Sequence, residues 1–187
     1  MQETTKGMYF NDVIKFITEK SGEQTKNQIA KELGKPLEYI GFKDYSIQEL
    51  VLIQQLCIKY IFPEKTREQG MFELGKIAFY TFAKSLLGKV TLPFLKNNPA
   101  ETFKKIPSWY MQINKFGSVE FEEIAEKKNK IIFKNYKNYP HYHHGLITQG
   151  MEVLGLIGTV SLTVHRFEEL ENKGDIVADF ECFLEWK

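Results

Sequence analysis

Three of the chain's four histidines fall within the run Tyr139-Pro140-His141-Tyr142-His143-His144-Gly145. Neutral imidazoles are good ligands for Zn, Cu, Ni or Fe, so His141 and His143, completed by His165 or a carboxylate, could supply three donors. Pro140 marks a helix start, where free backbone N–H groups and a protonated imidazole could instead hold an anion. The plain alternative is a proline-initiated helix N-terminus carrying exposed histidines and aromatics. Adjacent residues do not share a helix face, so His143 and His144 cannot enter one site on a regular backbone. On this reading His141 and His143 are the candidate metal ligands, and Tyr142 and His144 the candidate ligand contacts.

A second group of candidates is aromatic. With 15 Phe and 9 Tyr, the chain has more rings than aliphatic packing requires. Phe72, Phe79, Tyr80 and Phe82, followed by Phe94, Phe103, Trp109 and Tyr110, could wall an apolar cavity or simply fill a core. Phe79, Phe82, Trp109 and Tyr110 are the candidate ligand-lining residues among them. His165 alternates with Thr159, Ser161 and Thr163, opposite Val160, Leu162 and Val164, and so belongs to a wet sheet face. The carboxylates at Glu120, Glu122, Glu123 and at Glu168, Glu169, Glu171 read as solvated charge among lysines. The sequence has no GxSxG, GxxxxGK[ST], HExxH or EF-hand loop, no GxGxxG after a strand, and no nucleophile, base and orienting group that come together. A non-enzymatic protein is expected.

Composition narrows the partners. The 25 basic and 24 acidic residues nearly cancel, leaving no overall field for nucleic acid or an anionic membrane. Arginine, the residue suited to bidentate phosphate or base recognition, occurs only at Arg67 and Arg166. Cys57 and Cys182 are too few for a disulfide framework or a CxxC site, which suits a reducing compartment. No segment has the pattern of a signal peptide or the apolar length of a membrane span, so a cytoplasmic location is expected.

The elements that must position these residues follow from periodicity. Met8, Phe10, Val13, Ile14, Phe16 and Ile17 predict an amphipathic helix over 8–20 that stops at Ser21-Gly22. A polar helix over 25–33 follows, closed by Gly34 and Pro36. Ser46 with Glu49 forms a capping-box pattern for a helix that Pro63 ends. The longest helix is expected over 66–87 with Gly88 as its C-cap, its Gly70 and Gly75 requiring close packing to offset about 1 kcal/mol each. Short helical pieces joined by Pro93, Pro99 and Pro107 lead to Trp109. Strands are expected over 117–127 and 130–136, joined by a polar hairpin, then a helix over 143–156 and a strand over 159–167. In the last strand Ile176, Ala178, Phe180, Cys182, Leu184 and Trp186 point one way, and Asp179, Glu181, Glu185 and Lys187 the other. The whole predicts one α+β domain over 1–187, with disorder confined to 1–6. N-terminal helices, residues 8–110, pack on a C-terminal twisted antiparallel sheet of about four strands, residues 117–187, with a helix inserted between strand pairs.

The segments Lys6-Gly7-Met8-Tyr9-Phe10, Tyr60-Ile61-Phe62-Pro63, Leu74-Gly75-Lys76 and Phe183-Leu184-Glu185-Trp186 resemble an uncharacterised family best represented in myxobacteria. From about Gly117 onward, His144-Gly145-Leu146 and Cys182-Phe183-Leu184 look like the 4-vinyl reductase domain, whose fold superfamily includes haem nitric-oxide-binding domains and TRAPP subunits. The resemblance implies a small-molecule-binding or sensor domain with a cleft between helices and sheet. A protein–protein interaction module or homodimer, and a His-ligated metal or haem sensor, are its alternatives. The Tyr-x-Ser-x-Arg porphyrin clamp has no counterpart here, and only Cys182 remains of the reductase cysteines. Neither haem nor a divalent metal is therefore favoured, and the expected ligand is small and apolar. A homodimer or a signalling partner is left open.

Overall fold

The protein is described by a computed structural model covering residues 3–84, 86–170 and 174–187. Met1, Gln2 and Glu171, and the side chain of Phe94, lie outside the described residues.

Thr4–Lys6 (β1) pairs antiparallel with Asp44–Ser46 (β2), Thr5 standing opposite Tyr45. This corrects the expectation of a disordered start: Thr5 is buried, and its hydroxyl donates to Asn114 Oδ1 at 2.7 Å, 109 residues away. Gly7–Leu33 (α1) is two helices joined at Gly22, whose φ of 79° and ψ of 174° break the helical path where Ser21-Gly22 predicted a stop. The first part buries Phe10, Val13, Ile14 and Ile17, whereas the polar second part buries Ile29. Gly34, left-handed at φ 77°, closes α1 as expected.

Ile47–Ile61 (α2) starts where Ser46 predicted, but the capping box does not form. Ser46 makes no side-chain cap bond. The Ile47 N–H donates instead to Glu3 O across the β1–β2 ribbon at 3.2 Å. Glu49, expected to reach back to the cap, accepts the Tyr39 hydroxyl and Lys35 Nζ. Ser46→Ala should therefore shift a urea-unfolding free energy by less than about 0.5 kcal/mol, against about 1 kcal/mol for a working cap. A loss of the larger size would mean that the cap forms in solution.

Arg67–Lys84 (α3) and Leu86–Asn97 (α4) occupy the stretch expected to be one helix, and Gly88 lies inside α4 instead of capping α3. Pro93 also sits within α4, where it removes one backbone hydrogen bond, and the helix continues to Asn97. Pro99–Lys104 (α5) and Ile106–Ile113 (α6) each begin with a proline in the first turn, and Asn98 caps α5 through Glu101 N.

Ser118–Ala125 (β3), Lys128–Tyr136 (β4), Gly158–Glu169 (β5) and Ile176–Trp186 (β6) form an antiparallel sheet in the order β3-β4-β6-β5. Pro140–Leu154 (α7) connects β4 to β5. The expected α+β architecture is thus present, with the helix inserted between strand pairs. The β3–β4 turn is tighter than expected: Lys127 adopts φ 59°, and Asn129 is a buried strand residue. Along β6 every second side chain from Ile176 to Trp186 is buried. Phe180 stacks on Phe133 of β4 with centroids 4.4 Å apart. The other face pairs its charges, Lys130 with Glu122 at 2.7 Å and Arg166 with Asp179 at 2.8 Å.

α3 crosses α7 at very short range. A Cβ on Gly75 would lie 1.9 Å from Tyr142 O, and one on Gly145 would lie 1.9 Å from Phe72 O. The close packing that Gly75 demanded is this crossing. It brings Phe79 and Phe82 alongside the helix that carries the histidines.

Candidate functional site

The α3–α7 crossing, with α1 and α6 beside it, borders a largely apolar, partly open cavity of about 470 Å³. α3 contributes Ala78, Phe79 and Phe82; α5 and α6 contribute Phe103, Ile106, Trp109, Tyr110 and Ile113. α7 contributes Tyr142, His143, Leu146, Ile147, Gly150 and Leu154, and α1 contributes Met8, Tyr9 and Asp12. The size falls in the range of small-molecule sites. Room is left because small residues face it: Ala78 on α3 and, on α7, Gly150, which is met by the Phe79 ring edge. The site differs from the expected cleft in one respect. α7 stands between the cavity and most of the sheet, which reaches the lining through Tyr136.

A broader groove of about 630 Å³ beside α2, lined by Glu32, Lys59, Lys65 and Arg67 among others, is more open and more polar. Its charges are already paired, Lys59 with Glu32 at 3.0 Å, Lys65 with Glu73 at 3.5 Å and Arg67 with Glu169 at 2.9 Å. The aromatic cavity is the better candidate because it still has polar groups to offer.

Phe79, Phe82, Trp109, Tyr110 and Tyr142 all line the cavity. His144 does not: its Nε2 meets Val160 O at 3.0 Å, and its ring lies 4.9 Å from Phe72. His141 and His143 are not brought together. His141 turns toward Glu68, its Nδ1 buried without a partner and its pKa lowered by burial, while the Glu68 charge opposes that shift. His143 lines the cavity, its Nδ1 bonded to the Tyr136 hydroxyl and its ring 4.9 Å from Phe133. Among the described residues no three His, Cys, Asp or Glu side chains converge as a metal's donors. His165, on the wet face as expected, bonds Glu181 at 2.7 Å.

Burial pushes the His143 pKa down to about 3, so the imidazole is neutral at physiological pH. Nε2 has no hydrogen-bond partner among the described residues. If the Tyr136 hydroxyl donates to Nδ1, Nε2 carries the proton and is a donor; in the other tautomer Nε2 is an acceptor. Asp12 was not anticipated, nor was Tyr9. Burial raises the Asp12 carboxyl to about 6, against the pull of Lys15. Burial, and then the Asp12 charge, raises the Tyr9 phenol to about 12. Tyr110 Oη is buried with no partner among the described residues. In the sequence Tyr9 and Asp12 are three apart on a helix whose apolar residues drew the attention. The signal was a charge one turn from an aromatic at the edge of an apolar stripe.

The architecture is that of H-NOX domains. A T. Tengcongensis H-NOX structure aligns with 97% of each chain at TM-score 0.71 and 13% identity. An Fe(II) unliganded H-NOX protein from K. algicida covers 96% of this chain and 97% of its own, at TM-score 0.67 and 17% identity. A structure probing haem distortion in the H-NOX family covers 97% of this chain and 95% of its own, at TM-score 0.65 and 14% identity. At these identities the likeness is one of fold. The chain itself belongs to the family described as protein of unknown function (DUF2378), whose model matches residues 1–172. No curated protein matches it.

Haem, which the fold suggests, can be tested against the lining. A haem brings two carboxylates that need cations or N–H donors, and an iron that needs an axial donor. His143 Nε2 could serve the iron. No lysine or arginine, however, lines the cavity among the described residues, and the acid Asp12 does. Arg67 and Arg166 are held by Glu169 and Asp179. The donor set does not fit a haem. Among the described residues no helix is long and apolar enough to cross a membrane.

Proposed function

We propose that the protein is a non-enzymatic sensor domain that binds a small organic molecule in the cavity between α3, α6 and α7. The observation carrying this reading is an aromatic-walled space of about 470 Å³ into which His143 and Asp12 bring polar groups that no protein partner satisfies. Tyr110 Oη, on the same lining, is buried with no partner among the described residues, and an unsatisfied buried polar atom costs about 1–3 kcal/mol that a ligand hydrogen bond would offset. Phe79, Phe82, Trp109, Tyr110 and Tyr142 supply contact area, while His143 and Asp12 orient the ligand. The H-NOX-like fold is compatible with this role, since those domains include structures in which haem is the bound group. Buried free thiols at Cys57 and Cys182 suit a reducing, cytoplasmic setting.

Native mass spectrometry of the full chain, compared with its denatured mass and with an absorption spectrum, tests the proposal. The expected result is a retained organic mass without a haem absorption band, lost in an Ala78→Leu variant that fills the space. A strong haem band, or a chain that binds nothing both before and after Ala78→Leu, would sink it.

A second reading, an interaction module, is favoured by the apolar residues along and beside the edge strand β5. Ile157 is 76% exposed, and Val164, Phe167 and Leu170 are each at least 40% exposed. The same native spectrum reads the oligomeric state, and a strict monomer at micromolar concentration counts against it.

A further inference from the structure

The cavity has a charge preference that its apolar walls conceal. Asp12 lines it and makes no ion pair among the described residues. The nearest base, Lys15, is exposed one turn further along α1 and pairs with Glu19 at 3.8 Å. Tyr9 and Tyr142, both lining residues, stand near enough for their phenols to feel the Asp12 charge. No lysine or arginine balances that acid among the described lining residues. The same lining holds the rings of Trp109, Phe79 and Phe103, and aromatic π-clouds attract cations. An unpaired carboxylate beside phenol oxygens in a space walled by aromatic rings is complementary to one kind of group. From this arrangement we infer that the cavity selects a small protonated amine with an apolar, ring-sized body, its ammonium held by Asp12 and its body packed against the aromatic walls.

The inference rests on the cavity being a binding site, and it goes further by stating the ligand's charge. It also accounts for the poor fit to haem, whose propionates would meet Asp12 with no opposing cation. Burial makes the carboxylate costly to ionise while alone, and an arriving ammonium removes that cost. The ion pair would then form in a partly dry environment, where charge-assisted hydrogen bonds are strong.

Three probes share one skeleton and differ in charge: tryptamine, the neutral tryptophol and the anionic indole-3-propionate. Titration calorimetry on the full chain at pH 7.5 should rank tryptamine at least about tenfold above tryptophol, with indole-3-propionate weakest, as expected for one charge-assisted bond. Asp12→Asn should bring tryptamine down to the tryptophol level and leave tryptophol unchanged. Asp12→Glu should keep part of the preference. Equal binding of tryptamine and tryptophol, or a preference that survives Asp12→Asn, overturns the amine assignment while leaving the cavity as a binding site. Because the wild-type ranking is decisive alone, a poorly folded variant does not shelter the idea. Failure of tryptamine to bind overturns the amine assignment, and if the native spectrum also shows no retained mass the binding reading falls with it.

Discussion

Gly145→Ala should lower the stability of the protein by about 3 kcal/mol or more, an unusually large effect for adding one methyl group to a helix. On helix propensity alone the change would stabilise by about 1 kcal/mol. The sign reverses because the new Cβ would stand 1.9 Å from the Phe72 carbonyl oxygen, whereas real Cβ contacts essentially never fall below 3.0 Å. That oxygen belongs to helix backbone and cannot swing aside like a side-chain tip. α3 and α7 must therefore part or slide. Gly75→Ala meets the same obstacle from the other side, at the Tyr142 carbonyl. Once one substitution has separated the helices, the second finds some of its space already open. The double variant should then lose less than the sum of the two singles. Urea unfolding measures all three, with the midpoint moving and the slope unchanged. A loss under about 1 kcal/mol for Gly145→Ala would show that the crossing is looser than the structure has it. Because Phe79, Tyr142 and Leu146 flank this crossing and line the cavity, the same variants should also change the cavity's shape.

The crossing shows which parts of this molecule can be read from residues and which cannot. Alternation from Ile176 to Trp186 announces a strand because period 2 on a half-buried sheet is a local property of the chain, and each of those side chains is buried on the expected face. Gly75 announced that something must come close but not what, since its partner lies 67 to 71 residues away at Tyr142 and Leu146. The capping box at Ser46 failed for a related reason. Glu49 had a competing partner in Tyr39, and the Ile47 amide had one in Glu3, neither visible from local spacing. The disordered start failed likewise, since Thr4–Lys6 is ordered by a strand forty residues on.

The site divides along the same line. The large rings on α3, α6 and α7 do border a cavity, because Phe79, Phe82, Trp109, Tyr110 and Tyr142 are apolar enough to seek the interior whatever its shape. His144 was misplaced by about one residue's rotation around α7. Its neighbour His143 points into the cavity, while His144 reaches back to Val160. Periodicity gives a helix face, but the 100° between neighbours is settled only by what packs on either side. Asp12 escaped because an aspartate in an amphipathic helix ordinarily faces water. It borders instead a cavity that it shares with Tyr142 of α7, more than a hundred residues downstream.

His143 should make the protein acid-sensitive well above the range where surface carboxylates titrate. In the unfolded chain it takes up a proton near pH 6.5, but in the folded protein burial holds it neutral down to about pH 3. Between those values the unfolded state binds the extra proton, so stability falls as pH falls, and the contribution is fully present only above pH 6.5. The loss approaches at most about 5 kcal/mol at the acid end, and is smaller where water reaching the cavity screens the charge. That is a large share of a typical folding free energy of about 5–15 kcal/mol. Asp12 works the other way. Its folded carboxyl keeps a proton up to about pH 6, whereas unfolded aspartate releases it near 3.8, so the folded state gains as pH falls through that window. The wild-type profile between pH 6 and 4 is the difference of two opposed slopes, and it will look deceptively shallow. Asp12→Asn removes the compensating slope, so its urea midpoint should fall more steeply with acid than the wild type's. Adding His143→Gln, which keeps a polar partner for the Tyr136 hydroxyl, should flatten the curve again across that window. Below it, the carboxyls of Glu32, Asp44 and Glu181, held low by their lysine, tyrosine and histidine partners, take over in every variant alike. If the Asp12→Asn profile is no steeper than the wild type's, neutral His143 and raised Asp12 are not the pair that governs acid stability. The cavity would then be wetter than its aromatic walls imply. If the profiles separate as described, two of the polar groups that line the cavity are also groups whose burial shifts their titration. Both consequences follow from one cause, polar side chains held in a largely apolar space.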